Sequence, residues 1–84
     1  MPTIAKFYGI SILMYQKEKE HNPPHIHAFY GDYHALFLIS DGNKYAGDMP
    51  IKAQNLIKEF INIHNEELLH MWETQEFEKL PPLE

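Results

Sequence analysis

Three of the six histidines lie close together, between His21 and His27. An imidazole has an unperturbed pKa of about 6.5, so it can bind a metal ion or move a proton near neutral pH. Pro23 and Pro24 lie between the first two of these histidines, and each proline restricts its own backbone φ. This segment, the histidine block (residues 21–28), is where the sequence predicts a working site.

Zinc binding is the first chemistry that the block would support. His25 and His27 are two residues apart, and alternate residues of a β-strand project to the same side of a sheet. Three imidazoles with an open fourth position form a catalytic type of zinc site. The sequence therefore predicts one divalent metal ion, zinc first, with ligands drawn from this set: His21, His25, His27 and His34.

Proton transfer to a phosphodiester of RNA is the second chemistry. His25 and His27 would be the catalytic residues, one as base on a ribose 2′-hydroxyl and the other as acid on the leaving oxygen. Phe29 lies on the same predicted face and would stack on a base. Against this alternative, the chain contains no arginine, the preferred side chain for binding phosphate.

A structural role for the block is the third alternative. Imidazoles in an ordered loop donate hydrogen bonds to backbone carbonyls, and Asn22 would cap a turn. The sequence favours a core position for Trp72, which would mark a partner surface only if it were exposed. The candidate binding residues are therefore Asn22, Phe29 and Trp72.

Charge and composition narrow the classes of function. The net charge is −5, and it belongs to residues 48–84, because lysines and acids balance in residues 1–47. An acidic chain without arginine is a poor stand-alone RNA binder. The chain has no cysteine, no signal-peptide pattern and no apolar run long enough to span a membrane, which predicts a cytoplasmic protein.

Period-two alternation predicts the strands that carry the histidines. Thr3–Tyr15 is predicted to be one extended segment, and strands at about residues 25–30 and 33–39 flank Gly31-Asp32, a two-residue hairpin signal. Directly opposed residues of such a hairpin share a face. The register therefore groups three histidines on the less apolar face: His25, His27 and His34.

A helical period replaces the alternation after Asp48, with Pro50 in the first turn. Asn65 and the acids that follow it predict a fresh helix start, so we expect two helices or one helix kinked near Asn65. The predicted fold class is α+β: a three- or four-stranded antiparallel β-meander with the helices packed on one face. We expect one domain over residues 1–84, with the meander at about 3–46, helices at about 49–78 and a tail at 79–84.

Motifs along nearly the whole chain resemble those of one family. They are Pro2-Thr3-Ile4, Phe7-Tyr8-Gly9-Ile10, Met14-Tyr15, the histidine block, Tyr30-Gly31, Met49-Pro50, His64, Glu67-Leu68-Leu69 and Trp72. They resemble the small bacterial proteins of the domain of unknown function 4160 family. The resemblance implies no established activity. It implies a partner from another small family, domain of unknown function 2442, in loci of toxin–antitoxin type.

Two hypotheses remain open from the sequence. In the first, a protein of a toxin–antitoxin-type locus acts on RNA through its histidine block. In the second, a non-catalytic binding module, an antitoxin or regulator, holds the small partner protein while the histidine block is structural. The sequence also leaves homodimer formation open.

Overall fold

Five strands and two helices form the part of the chain that the computed structural model describes, residues 3–15 and 23–83. The elements are β1 (Thr3–Phe7), β2 (Ile10–Leu13), β3 (His25–Tyr30), β4 (Tyr33–Leu38), β5 (Lys44–Asp48), α1 (Ile51–Ile63) and α2 (Asn65–Thr74). The strands pair antiparallel with their neighbours in the order β1-β2-β3-β4-β5. The predicted α+β class and antiparallel meander are confirmed.

The sheet has five strands, one more than the larger number predicted, because the segment Thr3–Tyr15 folds back on itself. Tyr8 and Gly9 form the turn between β1 and β2, with φ of 49° and 79°. Positive φ at both central residues is the signature of a tight hairpin turn, which normally uses asparagine or glycine. A tyrosine in the first position gave no turn signal in the sequence.

The β3–β4 hairpin has the predicted register. Tyr30 pairs with Tyr33, Phe29 with His34, and His27 with Leu36. One face of this hairpin is buried in the core through Ile26, Ala28, Ala35 and Phe37. The opposite face carries the three histidines.

The helices cover the apolar face of the sheet, and the described chain has two of them, which is one of the two predicted alternatives. The buried residues of α1 belong to the same core cluster as the sheet, and the ring of Phe60 lies 5.0 Å from that of Phe7. Pro50, expected in the first turn of α1, occupies its N-cap position, directly before the first helical residue Ile51. At the start of α2, the side-chain amide of Asn65 donates to the carbonyl of Ile39 and ties the helix junction to the end of β4.

The segment after α2 returns to the sheet. Gln75 ends α2 in the left-handed conformation, and the backbone N–H of Leu80 donates to the carbonyl of Ile4 at 2.9 Å. Leu80 is buried in the core, although we expected a tail from residue 79. Within residues 3–15 and 23–83, neither helix has the length and apolar content needed to cross a bilayer.

Candidate functional site

His25 opens β3 and is almost fully buried, with 5% of its surface exposed. Its Nδ1 lies 2.8 Å from the carbonyl oxygen of Pro23. A carbonyl can only accept, so His25 Nδ1 carries the proton and donates it. The proline-rich entry therefore holds this imidazole by a hydrogen bond to its own backbone. His21 and Asn22, which precede it in the block, lie outside the described residues.

Aromatic rings surround His25. Its ring centroid lies 5.1 Å from that of Trp72 on α2 and 6.5 Å from that of Tyr45 on β5. Trp72 is itself only 1% exposed, and within the described part of the chain its indole N–H has no hydrogen-bond partner. Trp72 is therefore a core residue, as favoured above, and it lacks the exposure on which a role in partner binding depended.

His27 and His34 form a pair on adjacent strands. His27 Nδ1 lies 2.9 Å from His34 Nε2, and the two ring planes differ by 13° with centroids 5.2 Å apart. Nearly coplanar rings whose nitrogens meet end to end have the geometry of an N–H···N hydrogen bond. One nitrogen must donate and the other must accept, so at least one of the two imidazoles is neutral when this bond is present.

Two further aromatic side chains pack against this pair. Phe29 stacks on His34 with a centroid separation of 4.3 Å and an angle of 4° between the planes. Tyr15 approaches His27 edge-on at 4.1 Å. Phe29, predicted to stack on an RNA base, already has an imidazole on one of its faces. We call His25, His27, His34 and Phe29 the histidine row.

The predicted histidines lie close together in the histidine row, but they do not form a pair of imidazoles that are both accessible to a substrate. The ring centroids of His25 and His27 are 5.5 Å apart, but His25 is buried. Among residues 3–15 and 23–83, no three histidine, aspartate or glutamate side chains are grouped so that they could hold a metal ion. A zinc site completed by His21 stays a prediction.

A second candidate site lies at the hairpin end of the sheet, and sequence reasoning missed it. A groove of about 520 Å³ lies between the Tyr8-Gly9 turn, the end of β3 and the first two turns of α1. We call it the tyrosine groove. Six of the residues that line it are Tyr8, Tyr30, Pro50, Ile51, Lys52 and Leu56. The available signal was the pair Tyr30 and Tyr33, which belong to the core face of the hairpin but lie next to its turn.

The fold and the two candidate sites define a small α+β protein in which helices cover one face of the sheet, and in which a row of histidines on the other side of β3 meets α2 at His25. The family model described as Domain of unknown function (DUF4160) matches residues 9–73. The chain belongs to this family, and the resemblance read from its motifs is confirmed. Neither the curated proteins nor the solved structures include one that matches the chain.

Proposed function

We propose that this chain is a non-catalytic binding module that holds a small partner protein in a toxin–antitoxin-type locus, and that its histidine row is structural. The observation that carries the proposal is the environment of the His25 side chain. This imidazole is buried, surrounded by aromatic rings and hydrogen-bonded to the Pro23 carbonyl. A histidine held in this way stabilises a strand end instead of meeting a substrate.

The geometry of the histidine row disfavours cleavage of RNA by His25 and His27. A general base must come within hydrogen-bond reach of the proton that it removes, directly or through one water. His25 is too deeply buried to approach a ribose hydroxyl, and the Nδ1 of His27 is bonded to His34. This arrangement therefore gives no support to a mechanism in which the two residues flank a scissile phosphodiester.

A protein partner agrees with the charge and with the exposed surface. The chain carries a net charge of −5 and no arginine, so it lacks the dense positive charge that drives association with RNA. Large apolar side chains are instead exposed, and four of them lie together at the hairpin end of the sheet: Tyr8, Tyr30, Tyr33 and Ile51. A group of exposed apolar residues in one place is typical of sites that bind proteins. The partner that family membership suggests is a protein of the domain of unknown function 2442 family.

Calorimetric titration with a purified partner of that family, encoded beside this chain, tests the proposal. We expect a saturable complex with the wild-type chain and equal affinity for His34→Gln, because the histidine row would not contact the partner. His70→Gln, which changes an exposed histidine on α2, is the matched control. Absence of a complex with the wild-type chain would contradict the proposal.

Proton transfer at His34 is the second candidate function, and the bond between His27 and His34 favours it. His34 is exposed, and a neighbouring imidazole that bonds to it could fix its orientation and tautomer. This candidate predicts RNA cleavage by the untagged protein that is lost in His34→Gln and kept in His70→Gln. If no cleavage occurs at any protein concentration that the assay allows, only the binding proposal stands.

A further inference from the structure

The tyrosine groove combines an apolar floor with exposed walls. Ile10 and Ala53 line it and are almost fully buried, at 1% and 4% exposed. Tyr8 and Ile51, which flank it, are by contrast 58% and 68% exposed. Its volume of about 520 Å³ lies within the range of sites that hold small ligands or short peptide segments.

Exposed apolar side chains are concentrated around this groove. Four of the seven large apolar residues that are exposed in the described part of the chain lie at this end of the sheet: Tyr8, Tyr30, Tyr33 and Ile51. The rings of Tyr30 and Tyr33 stack with centroids 6.4 Å apart, which holds them side by side at the hairpin end. Isolated exposed apolar residues are ordinary, but a contiguous group next to a groove indicates a binding surface.

Tyr8 adds a second, independent observation, because its backbone is strained. It is one of only two residues other than glycine with positive φ among those described, and it occupies a turn position that favours asparagine or glycine. Backbone strain at an exposed residue commonly marks a functional site. Here the strain holds a large aromatic side chain at the rim of the groove.

The charge of the groove selects the chemistry of its occupant. Among the residues of the described chain that line it, Lys52 alone is charged, so this lining contributes one positive charge. The chain as a whole is negative, with a net charge of −5. A segment with a carboxylate next to apolar side chains would complement both Lys52 and the apolar floor. The tyrosine hydroxyl groups can additionally donate to the backbone carbonyls of an extended segment.

We propose that the tyrosine groove binds a short acidic and apolar segment of the partner protein, with the carboxylate of the segment paired to Lys52. This inference deepens the proposed function and rests on it, because it names the surface and the chemistry of the contact. Ile10, Ala53 and Leu56 receive the apolar side chains, and Tyr8 closes over the segment from the rim.

Selection from a library of random linear peptides displayed on phage tests the groove without knowledge of the partner. The baits are the wild-type chain, Tyr8→Asn, Lys52→Glu and the controls Tyr45→Asn and Lys79→Glu. Tyr8→Asn removes the ring but suits the turn, so its folding is not at risk. We expect enriched peptides that place an acid beside apolar residues, with at least about tenfold weaker binding to Tyr8→Asn and Lys52→Glu and unchanged binding to both controls. Failure to enrich any peptide that depends on Tyr8, or enrichment of basic peptides, would overturn the proposal.

The same four variants in the partner titration separate this inference from the proposed function. Loss of the complex in Tyr8→Asn and Lys52→Glu, with both controls unaffected, supports both proposals together. A complex that forms equally well with every variant overturns the groove as the contact surface and leaves the binding function standing. If the wild-type chain forms no complex, the proposed function fails, and the peptide selection alone decides whether the groove binds acidic segments.

Discussion

The histidine row and the tyrosine groove lie in different parts of the same fold, and they use their side chains in opposite ways. The histidine row contains the residue types most often found in active sites, yet His25 is buried and His27 is bonded to His34. The tyrosine groove contains ordinary residues, yet Tyr8 and Ile51 project into solvent above an apolar floor.

This contrast shows that residue type alone does not locate a functional surface. An imidazole can donate to a carbonyl and pack between aromatic rings, and both roles help a small domain to build a core. A tyrosine at positive φ raises the energy of the turn, and the Tyr8 side chain is 58% exposed. Burial and backbone conformation therefore distinguish the two regions better than composition does.

The largest expected loss of stability is for substitution of Trp72, the core residue that lies beside His25 of the histidine row. Trp72→Ala should lower the free energy of unfolding by about 3–5 kcal/mol, because it leaves a cavity beside His25. Trp72→Phe is the matched control; it keeps an aromatic ring, removes a buried N–H and should cost about 1–2 kcal/mol. Urea unfolding followed by circular dichroism measures both. A loss below about 1 kcal/mol in the alanine variant would contradict the core assignment.

His25 should give the next largest effect if the histidine row is structural. His25→Ala removes the hydrogen bond to Pro23, worth about 1 kcal/mol, together with the packing of a buried ring. We expect a total loss of about 2–3 kcal/mol. His70→Ala, on the exposed surface of α2, should stay within about 0.5 kcal/mol of the wild type. Equal stability of the two variants in urea unfolding would mean that His25 does not stabilise the fold.

Substitution of Tyr8 should raise stability instead of lowering it, which would distinguish the tyrosine groove from the histidine row. Tyr8→Asn should raise stability by about 1 kcal/mol, because asparagine tolerates positive φ better than tyrosine does. The melting temperature should rise by about 4–8 °C per kcal/mol for a domain of this size. Tyr45→Asn, in β5, should instead lower stability slightly, because asparagine disfavours strands. A lower melting temperature for Tyr8→Asn would show that the tyrosine ring stabilises the fold.

The smallest effect is expected at the pair of His27 and His34. His34→Gln should cost about 0.5 kcal/mol, since the bond lies on an exposed face. His70→Gln, which changes an exposed histidine on α2, is the matched control. Urea unfolding measures both variants. A His34→Gln variant at least as stable as His70→Gln would contradict a stabilising role for this hydrogen bond.

The parts of the fold that depend on local signals were predictable from the sequence. Gly31-Asp32 between two alternating runs fixed the β3–β4 register, so the grouping of His25, His27 and His34 on one face followed. The start of a second helix at Asn65 followed from the asparagine and the acids after it, although His64 occupies the N-cap position and the Asn65 side chain donates to the carbonyl of Ile39 instead.

The parts that depend on long-range contacts or on unusual backbone were not predictable. The burial of His25 requires α2 to place Trp72 beside the start of β3, and nothing in the local sequence specifies that contact. The Tyr8-Gly9 turn uses a residue that disfavours it, so the tyrosine groove was invisible to pattern reasoning. Leu80 joins the core through a bond to β1 that no helical or strand period indicates.

Hydroxyl-radical footprinting of the chain, alone and with its partner, tests the central claim most directly because it reads both regions at once. We expect the partner to protect Tyr8 and Ile51 from oxidation and to leave His34 and Phe29 unchanged. Protection of His34 and Phe29 with no change at Tyr8 would contradict the tyrosine groove as the contact surface, because the histidine row would then contact the partner.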